Sequence, residues 1–107
     1  MLGEIVNIII DRPLGSIHPN HNDIIYPVNY GYINGIMAPD GEEQDVYIIG
    51  INEPIEVFTG KVIAIIHRLD DIEDKWVVAP EGYMATKEDI IKTTYFQVKY
   101  FNIEVIM

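Results

Sequence analysis

The chain has 107 residues, 49% of them apolar and 22% charged, the size and balance of one globular domain, which excludes disorder and fibrous repeats. Seventeen acidic against seven basic residues give a formal charge of −10, a field that repels phosphate backbones and counts against nucleic acid as a partner. With no cysteine, a disulfide framework, a thiolate metal site and sulfur redox chemistry are all excluded.

The opening Met1-Leu2-Gly3-Glu4 has no basic region ahead of an apolar stretch. No apolar run approaches the ~20 residues of a membrane span, so the expectation is a cytoplasmic protein with no membrane partner. Residues 1–107 are read as a single domain without repeat, linker or low-complexity segment.

In chain order, residues 5–10 are β-branched apart from Asn7 and are closed by Asp11-Arg12-Pro13, which predicts a buried strand ending in a turn. Residues 14–23 hold Gly, Pro, Ser, Asn, Asp and two histidines, a loop composition. Residues 24–33 carry Tyr26, Tyr30 and Tyr32 around Pro27 and Gly31 and read as extended but irregular. A polar turn at 37–44 leads to short apolar runs at 46–51, 62–66 and 76–79, each read as a strand. The acidic stretch 70–74 joins the last two at hairpin distance. Thr86 with Asp89 signals a helix start, and Ile90, Ile91, Thr94, Tyr95 and Val98 recur at helical spacing, so one helix is predicted to about Tyr100. Residues 103–107 complete the count as a final strand. Many short strands and one late helix imply a closed or nearly closed small β-barrel carrying a helix, with an open sheet as the competing layout.

Chemistry concentrates in two acidic segments. In Asp40-Gly41-Glu42-Glu43-Gln44-Asp45, positions i and i+2 share a face of an extended chain and Asp45 returns to that side. Such carboxylates suit a hard divalent cation, and the competing reading is a solvated acidic turn. Asp70-Asp71-Ile72-Glu73-Asp74-Lys75 is similarly either an exposed charged loop tip or the second half of a cation site, with Lys75 placed to neutralise an acid or contact an anion. His18 and His21 sit in the Gly/Pro/Asn-rich loop, where a surface role outweighs ligation.

Tyr26-Pro27-Val28-Asn29-Tyr30-Gly31-Tyr32-Ile33, followed at a short gap by Asp40-Gly41-Glu42-Glu43-Gln44-Asp45-Val46, resembles the paired signature of the soluble family I inorganic pyrophosphatases. The stretch from Asp70 to Pro80 is similar to that family's next acidic loop, and 95–104 to its final helix, which carries a Tyr-Lys pair. The resemblance spans about Tyr26 to Glu104 and implies a mainly β fold, an OB-like five-stranded barrel with one C-terminal helix. It also implies Mg²⁺-dependent hydrolysis of pyrophosphate, taken up as its metal complex, with Mn²⁺ as a substitute, in a homo-oligomer. Position by position, Asp40, Glu42, Asp45, Asp70 and Glu73 match metal ligands, with Asp71 and Asp74 as substitutes in a second loop two residues shorter than usual. Glu42 and Asp45 match the residues around the attacking water. Tyr30, Lys75 and Tyr100 match phosphate contacts, and Arg12 is the one cation available ahead of the Tyr-Pro segment. The family's helix lysine falls on Phe101, and the proline of its signature falls on Glu43. The alternative is a non-catalytic metal- and phosphate-binding module that has lost cationic substrate ligands.

Overall fold

Strand β1 (Ile5–Arg12) buries Val6, Ile8 and Ile10 and exposes Ile5, Asn7 and Ile9. A run of β-branched residues supplies both faces of a strand, yet only one face here meets the core, so β1 is half-buried rather than fully buried. This structure is a computed structural model describing residues 2–70 and 73–107. Within them β1 is followed by β2 (Ile17–His18), β3 (His21–Ile25), β4 (Asn29–Met37), β5 (Glu43–Ile48), β6 (Val57–Arg68), β7 (Asp74–Ala79), α1 (Lys87–Val98) and β8 (Ile103–Ile106).

The order β1-β4-β5-β7-β6 closes on itself through β1–β6 pairing, giving a five-stranded barrel to which β8 adds along β6. The β5–β7 pair is parallel and every other pair antiparallel. Closure removes the open edges that a flat sheet would have left, and it selects the barrel over the open sheet. Strand alternation divides the apolar residues into two cores. Val6, Ile8, Ile33, Val46, Ile48, Val62, Trp76 and Val78, drawn from all five barrel strands, fill the interior. Tyr30, Tyr47, Ile66 and Val77 form an outer layer with Ile90 and Val98 of α1.

Several segments differ from the sequence-based expectation for identifiable reasons. The loop predicted at 14–23 contains the β2–β3 hairpin: Pro19 and Asn20 make its tip while Ile17 pairs with Ile25. Strand β6 extends well beyond 62–66, because Val57 to Lys61 are held by pairing with β1 and not by an apolar run of their own. Asn29, inside the aromatic motif, is fully buried and structural. Its Oδ1 accepts from the Leu14 and Ile55 amides at 2.9 and 3.2 Å, and its Nδ2 donates to the Glu53 carbonyl at 2.9 Å. The helix start matches expectation: Thr86 and Asp89 form a reciprocal capping box, with bonds of 2.9 and 3.1 Å.

Gly31 marks the tightest approach in the barrel, since a Cβ there would lie 2.0 Å from the Ile9 carbonyl oxygen on the neighbouring strand. Gly31→Ala is expected to cost about 2–3 kcal/mol by overpacking, read as a fall in Tm of roughly 10–20 °C for a chain of this size. The Asp89 carboxyl is held below its ordinary value, first by the Thr86 backbone N–H and then by the Thr86 side chain. A depressed carboxyl contributes stability that is present above its unfolded value and lost as pH falls through its folded one. The Tm gap between the wild type and Asp89→Ala should therefore narrow between about pH 5 and about pH 2; thermal melts across that range check it, and a constant gap would contradict it.

Candidate functional site

Residues of one strand parity converge above the outer core layer. Tyr30 on β4 pairs with Tyr47 on β5, and Asp45 lies two residues before Tyr47 on the same face. Lys75 on β7 lies two before Val77, which belongs to that same outer layer. Their side chains meet: Lys75 Nζ donates to Tyr30 Oη at 2.8 Å, to Asp45 Oδ2 at 3.1 Å and to Glu73 Oε1 at 2.7 Å. Only 15% of the Lys75 side chain is exposed.

Burial by itself would lower the Lys75 ammonium, but Tyr47, Asp45 and Glu73 outweigh it and hold the group above its ordinary value. Burial pushes the Tyr30 phenol far up, and Asp45 adds to the effect. At neutral pH the cluster therefore presents an ammonium and a neutral phenol between two carboxylates. Beneath it Tyr26, Tyr30, Tyr47 and Phe96 pack ring against ring, with centroids 5.1–6.0 Å apart. Gln97 of α1 locks this layer to the helix, accepting from Tyr47 Oη and donating to Tyr26 Oη at 3.4 Å.

Lys75 and Glu73 form one wall of a cavity of about 530 Å³. The β2–β3 hairpin contributes His18, His21 and Asp23 to it, the end of β6 contributes Arg68, and the helix end contributes Gln97, Tyr100 and Phe101. Among the residues expected from sequence, Glu73, Lys75 and Tyr100 therefore line the cavity, while Tyr30 and Asp45 reach it through Lys75. Asp70 faces Arg68 at 3.4 Å. Asp40 and Glu42 stay on the exposed 39–42 turn, where Asp40 Oδ1 accepts from the Glu42 amide at 3.0 Å. Gly41 permits that turn with φ of +87°. Asp74 pairs with His67 Nδ1 at 2.5 Å, and Asp71 lies outside the described residues. Arg12 stands opposite Tyr30 in the β1–β4 register with its Nε buried and unpartnered, and it does not line the cavity.

The five acids thus do not gather in one cluster, and among the described residues no three His, Asp or Glu side chains come close enough to hold a metal. Two of them, Asp45 and Glu73, do converge on a cation, the Lys75 ammonium. Their hard oxygen donors fit Mg²⁺ chemistry.

His18, His21, Arg68, Gln97 and Phe101 were not singled out as substrate contacts by sequence reasoning. Helical spacing carried a signal for Gln97, seven residues after the buried Ile90. For Arg68 and the histidines the signal is tertiary, because only the fold brings the hairpin and the end of β6 to one cavity.

A family model for inorganic pyrophosphatase matches residues 8–95. The inorganic pyrophosphatase of Caulobacter vibrioides is 34% identical over 64 residues, covering 57% of this chain and 34% of that protein. That of Campylobacter jejuni is 30% identical over 92 residues, covering 80% of this chain and 49% of the relative, so the matches span less than half of these relatives' lengths. The crystal structure of inorganic pyrophosphatase from Ehrlichia chaffeensis superposes with a TM-score of 0.73 at 18% identity, covering 97% of this chain and 85% of that one. At that identity the likeness speaks for the fold.

Removing the central cation tests the cluster. Lys75→Met leaves Asp45 without its ammonium partner and Glu73 with Arg68 as its remaining cation, and a loss of about 1–3 kcal/mol is expected from the charged hydrogen bonds alone, measured by urea unfolding. A variant as stable as the wild type would show that the cluster holds nothing together.

Proposed function

The chain belongs to the inorganic pyrophosphatase family, and from that premise we propose that it hydrolyses pyrophosphate to two phosphates with the help of Mg²⁺, for which Mn²⁺ substitutes. The observation that carries this reading is the convergence of Tyr30, Asp45 and Glu73 on Lys75 at the wall of the cavity. The Lys75 ammonium offers an anionic substrate a cationic contact there, although the chain as a whole carries a formal charge of −10.

In this reading Asp45 and Glu73 hold the metal, joined by Asp40 and Glu42 from the turn and by Asp70 from the second loop. Bound Mg²⁺ supplies charge neutralisation of the phosphoryl oxygens and a water of lowered pKa. The protein's own groups position the reactants. Lys75 and Tyr100 contact phosphoryl oxygens, Arg12 adds a positive field behind Tyr30, and the neutral Tyr30 phenol donates a hydrogen bond without adding charge. Glu42 and Asp45 orient the attacking water and receive its proton. The substrate is a small anion bound as its metal complex in a cytoplasmic homo-oligomer, with neither nucleic acid nor membrane as a partner.

Phosphate release from pyrophosphate with Mg²⁺ or Mn²⁺ tests the proposal. Chelation is expected to abolish it, and Asp45→Asn to lower it by about 100-fold or more, because even an outer-shell partner of a metal typically contributes 10–100-fold. Wild-type protein that releases no phosphate from pyrophosphate under these conditions would be a binding module instead.

A further inference from the structure

Arg68 is the last residue of β6, and its backbone is pinned from two sides. It pairs with Ile103 of β8, its amide donates to the Glu73 carbonyl at 3.3 Å, and the next amide, of Leu69, donates to the Asn102 carbonyl at 2.9 Å. The guanidinium lies 3.7 Å over the centroid of the Phe101 ring, and 18% of the side chain is exposed. Contact with the ring restricts the directions the guanidinium can take, while its Nε lies 3.4 Å from Asp70 Oδ1, and a guanidinium fork so held matches two oxygens of a phosphoryl group. Arg68 and Lys75 line the same cavity.

One carboxylate sets the distance between these cations. Glu73 Oε1 accepts from Lys75 Nζ at 2.7 Å, while Glu73 Oε2 lies 3.4 Å from a terminal nitrogen of Arg68. Two cations on opposite oxygens of a single carboxylate present two neighbouring positive points, which matches a ligand with two adjacent anionic groups better than a single phosphate.

We propose that Arg68, oriented by Phe101, is a substrate-binding residue that forms with Lys75 a two-point clamp selecting phosphoanhydrides over a lone phosphate. The assignment rests on the pyrophosphate reading for its substrate class and adds a residue to it. It also returns a cation to the site from a different element, because the Arg68 side chain covers the ring at position 101.

The test is calorimetric binding of imidodiphosphate, a non-hydrolysed diphosphate, and of orthophosphate, both with Mg²⁺, alongside pyrophosphate hydrolysis. Arg68→Gln is expected to weaken imidodiphosphate by about tenfold or more, in line with a lost charge-assisted contact, and orthophosphate by about threefold or less. Arg68→Lys, which keeps charge but loses the fork, and Phe101→Leu, which keeps the guanidinium but frees its plane, are expected to fall between. These two variants carry the test if Arg68→Gln does not melt cooperatively. Unchanged imidodiphosphate affinity in the Arg68 variants, or equal losses for both ligands, overturns the clamp even if pyrophosphate is hydrolysed. So does a wild type that binds no imidodiphosphate. Arg68-dependent binding by a wild type that hydrolyses nothing upholds the clamp and overturns the proposed activity.

Discussion

The arrangement of the molecule depends on β6, which pairs with β1 through its first half and with β7 and β8 through its second. Between Val62 and Ala64 its register against β7 slips by one residue. Val62 faces the barrel interior opposite Val78, while Ala64 opposes Val77 in the outer layer and Ile66 follows it there. Without that bulge, strand alternation would leave Ala64 on the same side as Val62 and turn the far half of the strand over. Because of it, the end of β6 presents Arg68 to the cavity beside α1. Barrel closure through residues 57–61 and placement of Arg68 beside the cavity are therefore served by the two halves of one strand, on either side of its bulge.

A second constraint is electrostatic. A protein with ten more acidic than basic charges places two of its seven Lys and Arg side chains on one cavity wall, each within reach of Glu73. The carboxylates around Lys75 hold the ammonium charged in a largely buried position, offsetting a desolvation cost that would otherwise favour the neutral amine. The same contacts keep Asp45 and Glu73 close together, where two carboxylates alone would repel. The cluster is thus a polar network in which each carboxylate has a charged partner and the ammonium has three acceptors.

Much of the architecture was legible in the residues. The short β-branched runs, the capping pair Thr86 and Asp89, and the closing strand after the helix all correspond to observed elements. Local chemistry decides these features, so they survive being read one segment at a time. The β2–β3 hairpin and the first half of β6 did not show, because Ile17, Thr59 and Lys61 are extended only through the partners that bond to them. In the site, Tyr30, Asp45, Glu73 and Lys75 are found together, while Asp40 and Glu42 remain on an exposed turn whose own Asx hydrogen bond satisfies one carboxylate oxygen. Their even spacing puts them on one side of the chain, which is a statement about local direction and carries no information on distance to β7.

The amino-acid sequence by itself determined a mainly β chain with one late helix and carried the family's ordered motifs, because strand-length apolar runs, a capping box and motif spacing are local properties; the choice of closed barrel over open sheet was left to long-range pairing. Tertiary structure alone decided which charges share a cavity. Lys75 meets Tyr30 across 45 positions and Asp45 across 30, and Arg68 meets Phe101 from another element. Those meetings follow from register, from the bulge in β6 and from barrel closure, all of which are set by pairing between distant segments.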